Sequence, residues 1–351
     1  MSHALYIHKS TCISPQHTFL NIDIRELEES ANNKLQAIEP VYPGIPPGLL
    51  RRMSRAVRMG VGAALPLFEH HPILNGIIIG TGNGGMEDCI KFLNQIIEYD
   101  EGLLAPGSFV QSTPNAIASQ VSILKGNKGY NITHVHAGLS FENAILDALM
   151  QIKEFPSNNY IIGAVDAISS YNFNIDNLGG WYKKELVSNK QLYETNSPSS
   201  LAGEGSAMFL VNGVRNSAIG QLDAISMLHT HDPEDVTNQL KDFIERNFNG
   251  KKIDLFLSGE NGDNRLQKFY TGSEGVLSRE VPIARFKHMC GEYPTASAMA
   301  LWIACYLLQN HDLPSHMVKR QQLRAEFSNI LIYNNFKGAQ HSFMLLSAVR
   351  E

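Results

Sequence analysis

Two stretches of this chain carry apolar residues on nearly every side of a helix: FENAILDALMQI, from Phe141 to Ile152, and the segment from Thr295 to Gln309. In the first, only Glu142, Asn143, Asp147 and Gln151 are polar. A helix at a protein surface shows a single apolar stripe, so helices greasy all round have to be enclosed. They occupy comparable places in the two halves of the chain, each after a glycine-bearing turn. A fold that sandwiches one helix from each half between two sheets accounts for both. Two unrelated core helices are the plainer alternative.

The rest of the chain alternates short β-rich runs with helical stretches. Strands are expected at 75–80, 132–135, 160–165, 207–211, 253–257, 329–333 and 343–348, and helices at 49–68, 85–99, 115–124, 141–153, 233–247 and 295–309. Such alternation argues for α/β layers with largely buried sheets. Between Ser169 and Glu204 the sequence turns polar and aperiodic. Long structureless segments inside a compact domain often line a site or a partner surface. A boundary is placed just after it, dividing the chain into 1–214 and 215–351.

Net charge is −5 over 351 residues, with a pI near 6.2, which argues against non-specific nucleic-acid binding. Cys12, Cys89, Cys290 and Cys305 are scattered, with no CxxC pair, as suits a reducing compartment. The N-terminus lacks the basic and apolar regions of a signal peptide. The longest apolar run, Ala298 to Leu308, is far short of the ~20 residues a membrane span needs. A soluble, cytoplasmic protein is expected. The loop Gly80-Thr-Gly-Asn-Gly-Gly85 precedes a helix but lacks GxGxxG and GKS/T, so no nucleotide cofactor is expected.

Four motifs stand in order along the chain. Phe109 to Ala148 runs through a helix, the turn Gly126-Asn-Lys-Gly129 and a strand into His136-Ala137-Gly138. Then come Leu201-Ala-Gly-Glu-Gly-Ser-Ala207, Lys287-His-Met-Cys-Gly-Glu292 and Phe336-Lys-Gly-Ala-Gln-His-Ser342. These resemble, in turn, the nucleophile segment, the GEGA element, the KSxxGH element and the FGGTNxS loop of β-ketoacyl synthases. The Arg51–Arg55 run RRMSR fits a diverged bacterial branch. The resemblance covers roughly Pro47 to Ala348 and implies the thiolase-like α/β fold, two similar halves in five layers α-β-α-β-α. That fold encloses one helix from each half.

A condensing enzyme of this family needs a cysteine thiolate at a helix N-terminus, where amides and dipole lower its pKa and cradle negative charge. It also needs two basic side chains. The alignment places Gly138 at the nucleophile position. It places Gly259, with Ser258 or Glu260 as neighbours, where the first histidine should follow its strand, and Glu292 where the second should stand; only Lys287 is retained. Losing one member of such a cooperating set commonly costs several orders of magnitude. Condensation by the usual mechanism is therefore not expected.

Several other residues have plainer roles open to them. Ser140, before an apolar helix, is expected to cap it rather than act as a nucleophile. His134 and His136 share a strand, and with His341 suggest a metal, but no further ligand accompanies them, so no metal is expected. Cys290 is expected to be a packed thiol. His136, Ser140 and Phe336 are candidates for the acyl pocket, Phe336 matching the aromatic gate at its mouth. Arg51, Arg52, Arg55 and Arg58 form a basic helix face that is either solvated, paired with nearby acids, or meets an acidic carrier protein or partner.

The resemblance implies a homo- or heterodimer. A synthase scaffold with silenced chemistry resembles the chain-length factors of type II fatty acid or polyketide pathways, which pair with an active ketosynthase. The alternative is an acyltransferase, thioesterase or decarboxylase acting on acyl-carrier or acyl-CoA substrates through His136, Ser140, Glu260 and Glu292.

Overall fold

A computed structural model describes residues 4–42, 44–69, 74–102, 104, 106–248, 250–321 and 326–349. Eleven strands form one sheet system: β1 (Leu5–Ile13), β2 (Gly76–Gly80), β3 (Tyr130–His134), β4 (Tyr160–Asp166), β5 (Gly205–Asn212), β6 (Gly220–His229), β7 (Leu255–Ser258), β8 (Ile283–Arg285), β9 (Val318–Arg320), β10 (Asn329–Phe336) and β11 (Gln340–Ala348). Their order is β9-β8-β7-β10-β11-β6-β1-β5-β4-β2-β3. The first five strands run third-second-fourth-fifth-first from the outside inward, and β6, β7, β8, β10 and β11 repeat that order. In each set the first three neighbours are parallel and the fifth strand is antiparallel. Among the described residues the two sets pair where Leu5–Ile7 runs beside Gly220–Leu222.

Alternation along the strands sorts side chains into layers, because successive residues face opposite sides of a sheet. Ile77 and Ile79 join an outer cluster with helices α1 (Arg55–Ala64) and α3 (Ala116–Lys125), whereas Ile78 faces inward. Phe256, Leu331 and Phe343 face outward to α6 (Pro233–Phe248) and α7 (Gln267–Val276), while Leu257, Ile332 and Met344 face inward. The inward cluster is filled by α4 (Ser140–Glu154) and α8 (Ala296–Asn310). This is the five-layer sandwich that the two greasy helices demanded. Helix α2 (Met86–Glu98) and a short turn of helix at Pro106–Gln111 stand outside these layers.

Three expectations are corrected. The helix expected over 49–68 is broken: Ser54 is extended, α1 starts at Arg55, and Pro66, with no N–H to give, turns its end into a 3-10 segment. The polar 169–204 segment is not structureless. Ser169 and Asn172 form a capping box that starts α5 (Ser170–Leu178). Strands β1 and β6 escaped the sequence pattern because His8 to Thr11, Gln221 and Asp223 are polar and only half-buried, leaving no apolar run.

Candidate functional site

Strand β3 hands over to α4 through a tight elbow. Ala137 is left-handed (φ 46°), a conformation disfavoured for a residue with a Cβ. The Ser140 hydroxyl stitches this turn: it accepts from the His136 amide at 2.7 Å and donates to the Ala137 carbonyl at 2.9 Å. Ser140 is the first residue of α4 and makes no forward cap, so the expected capping role is replaced by this backward clamp. The His136 ring lies on the exposed side, with Nδ1 2.9 Å from Asn143 Nδ2.

Gly138 is buried under the loop between β10 and β11. A Cβ added to it would stand 2.3 Å from Phe336 Cβ and 2.6 Å from its ring Cγ. No side chain fits there while Phe336 holds that place. The Gly138 amide donates to Gln340 Oε1 at 2.7 Å. That amide is the kind of donor that would stabilise a developing oxyanion, and a side-chain carboxamide already occupies it.

Gly259 follows β7 and lies against β10, where an added Cβ would meet Asn334 Oδ1 at 2.9 Å and Tyr333 O at 3.0 Å. Its neighbour Glu260 turns to Arg285 and Lys319, and Ser258 is buried. Two residues on, Asn261 Nδ2 donates to Glu292 Oε2 at 2.7 Å, and Lys287 Nζ bonds Glu292 Oε1 at 2.7 Å. Lys287 is wholly buried and Glu292 nearly so. Both oxygens of the Glu292 carboxylate are therefore taken by partners within the chain, and its charge is balanced by the Lys287 ammonium. Gly138 thus meets Phe336 at the end of β10, Gly259 lies against Tyr333 and Asn334 of the same strand, and Glu292 bridges Lys287 and Asn261.

Other polar groups close around them. Burial pushes the Glu142 carboxyl above the usual range, opposed by the Ser342 and Ser297 hydroxyls. Ser342 Oγ donates to Glu142 Oε1 at 2.7 Å. Burial likewise raises Asp166, against hydrogen bonds from Thr295 and the Asn83 and Gly82 amides. The glycine loop's amides are therefore taken by the chain's own carboxylate at 2.9 to 3.1 Å. Sequence reasoning missed Gln340, Glu142 and Asp166; only Gln340 carried a signal, its place in the Phe336–Ser342 motif.

The remaining candidates take plain roles. Burial pushes Cys290 up to about 12. His134 pairs with Asp147 at 2.9 Å, while His341 bonds Tyr333 and Thr230 in the outer layer of the other half. Among the described residues no group of three or more His, Cys, Asp or Glu could hold a metal ion. Arg55 and Arg58 turn inward to Glu39, and Arg55 also to Glu204, which is the pairing with nearby acids; Arg51 and Arg52 remain exposed. No helix among the described residues is long and apolar enough to cross a membrane.

An elbow before one central helix, a lysine motif before the other and a β10–β11 loop between them stand in a thiolase-like scaffold. Residues 26–167 match the family model described as beta-ketoacyl synthase, N-terminal domain. No curated protein matches the chain by sequence. Solved structures of the same fold include a beta-ketoacyl synthase from Burkholderia phymatum STM815, 14% identical, with 99% of this chain and 100% of that chain covered and a TM-score of 0.74. The ishigamide ketosynthase/chain length factor is 13% identical with the same coverage and a TM-score of 0.75. The ketosynthase ApeO in complex with its chain length factor ApeC, from Xenorhabdus doucetiae, is 14% identical over 99% of this chain and 98% of that one, with a TM-score of 0.76. Residues 26–167 are thus similar in sequence to the N-terminal domain of beta-ketoacyl synthases, and the chain as a whole shares the thiolase-like fold of these solved structures.

Proposed function

We propose that this chain is the non-condensing partner of an active ketosynthase, acting like a chain-length factor in type II fatty acid or polyketide biosynthesis. One observation carries the proposal: Phe336 fills the volume that a side chain at position 138 would need. With Gly138 at the nucleophile position, Gly259 at the first histidine's and Glu292 neutralised by Lys287 at the second's, no condensing set is assembled. The alternative acyltransferase reading is weakened by the same geometry, since the Ser140 hydroxyl is tied into the elbow.

A partner surface is available. Strand β3 is the last strand of the sheet among the described residues, and Val135, Tyr130, Ile123 and Met150 lie exposed around it. An unpaired edge beside apolar side chains is a template for another chain. The repeated strand order supports a division between β5 and β6, at 214/215, with an acyl carrier protein and a ketosynthase as the expected partners in a reducing cytoplasm.

Co-expression with candidate ketosynthases should yield a one-to-one heterodimer on size exclusion with light scattering. A chain that stays homodimeric with every candidate would overturn the proposal. Incubation with acyl-thioesters should leave the intact mass unchanged; an adduct lost in Ser140→Ala or Glu292→Gln would move the assignment to the acyltransferase class.

A further inference from the structure

We propose that the face built by α5 and the loop after it docks on an anionic lipid surface, with Leu178 and Leu186 entering the apolar boundary and Lys34 and Lys184 meeting the headgroup phosphates. The face comes from the polar segment after Ser169, to which the reading of the site gives no task.

Helix α5 is amphipathic in the wrong sense. Tyr171, Ile175 and Leu178 stand at i, i+4 and i+7, the spacing of a stripe that a surface helix ordinarily turns to the core. Here no residue of the helix is buried, and Ile175 and Leu178 are 61% and 88% exposed. The opposite side of the helix holds it this way round. Phe173 stacks on Tyr182 with ring centroids 5.3 Å apart, and Asp176 accepts from the Tyr182 hydroxyl at 3.2 Å and pairs with Lys337. Leu186, on the loop beyond, is 78% exposed.

Phe173, Asn177 and Leu186 border a cleft of about 560 Å³ whose lining holds Lys34, Lys183 and Lys184 and no carboxylate. The Lys34 ammonium lies 3.7 Å from the centre of the Phe173 ring, and the buried Lys183 donates to Ser197 Oγ at 2.9 Å. Among the described residues none of these three lysines is ion-paired. Asp176 and Asp263 are paired with Lys337 and Arg265, while Glu185, exposed beside Lys184, offsets one of the three charges. Asn33 Nδ2 donates to the carbonyls of Lys183 and Glu185 at 2.6 and 2.7 Å, which fixes the loop that carries the cations. A chain of net charge −5 thus keeps a cationic recess beside an apolar crest.

Apolar side chains at the headgroup boundary with lysines against the phosphates are the combination by which proteins lie on membranes without crossing them. The shape favours a fluid surface: headgroups can fill the recess while the crest sinks between them. A rigid protein face resting on the crest would bridge the recess and leave it unfilled.

Flotation of the full chain with vesicles tests this. Vesicles of phosphatidylcholine with phosphatidylglycerol should bind about tenfold more protein than phosphatidylcholine alone, and the excess should fade as salt is raised. Leu178→Ser with Leu186→Ser should lower binding about tenfold and leave urea unfolding unchanged, since both positions are exposed. Lys34→Gln with Lys184→Gln should abolish the preference for phosphatidylglycerol. Equal binding to both vesicles, binding to neither, or full binding by the leucine variant would overturn the proposal. Inorganic phosphate at the vesicles' phosphate concentration should not displace the chain; displacement would make the cleft a small-anion site and sink the lipid reading. An acidic carrier protein bound through these residues by a chain that floats with no vesicle would do the same. No ketosynthase is present in the flotation, so this inference and the partner proposal stand or fall separately.

Discussion

The two halves of the sheet share one strand order and finish differently at their outer ends. In the C-terminal half the outer strand β8 is covered by antiparallel β9, whose Lys319 pairs with Glu260 and Glu274. In the N-terminal half nothing among the described residues lies beyond β3. Topology is common to both, so it cannot explain the contrast. One edge is finished within the chain and blunted by charge, the way natural sheets avoid unwanted pairing. The other is left open beside apolar side chains, as an edge meant for another chain would be.

The central helices repeat the contrast, and breaking it there should have the largest effect. Helix α8 is buried at 12 of its 15 positions, whereas α4 leaves Leu146 and Leu149 half-buried and Met150 65% exposed. Leu301→Ala on α8 should cost about 2–5 kcal/mol, transfer loss plus cavity. Met150→Ala on α4 should cost less than about 0.5 kcal/mol in the isolated chain. Urea unfolding of both variants is the measurement. Similar losses would mean that α4 is enclosed as fully as α8 and that the open face does not exist.

Much of this architecture was legible because burial on both sides leaves a compositional mark. The apolar runs of β2, β4, β5 and β10 and the two central helices could be read directly. What was lost follows from the same rule. The strands that join the halves, β1 and β6, carry half-buried polar residues and no such run. For the site, the sequence could single out Gly138, Lys287, Glu292 and Phe336 because each sits in a short local pattern. The fillers were not legible: Glu142 meets Ser342 across 200 positions and Lys337 meets Asp176 across 161. Sequence spacing holds no trace of a contact made by folding two sheets face to face.

The halves should also differ in their response to acid. His341 is lowered to about 4, chiefly by burial, and His288 is pushed well below 6.5 by burial, with His316 and Arg285 adding to it. Both lie in the C-terminal half. A histidine kept neutral by folding binds fewer protons than its unfolded form, so stability falls as pH drops below about 6.5 toward the folded value. From His341 alone the loss between pH 6.5 and 5 is about 2 kcal/mol. The raised carboxyls of Glu142 and Asp166, in the N-terminal half, act with the opposite sign: protonation favours their buried form as pH falls. Hydrogen exchange at pH 7 and pH 5 should therefore show α6, α7, β10 and β11 losing protection before β2, β4 and α4. Uniform loss across both halves would remove electrostatics from the comparison.

The smallest expected effect bears on the open edge itself. Val135, 51% exposed at the end of β3, packs on little within the chain, so Val135→Glu should leave unfolding of the isolated protein unchanged within about 0.5 kcal/mol. If β3 pairs with another chain, the same carboxylate would be desolvated beside apolar groups in the assembly. Association should then weaken at least tenfold, or about 1.4 kcal/mol, by light scattering across a concentration series or by titration with the ketosynthase. Leu186→Glu, at a residue 78% exposed on the loop after α5, supplies the control and should change neither quantity. Equal effects at both sites would point to net charge, acting on any encounter of the acidic chain. A loss confined to Val135 would locate the contact at β3, because only there does the added charge meet a surface that the C-terminal half has already closed with β9.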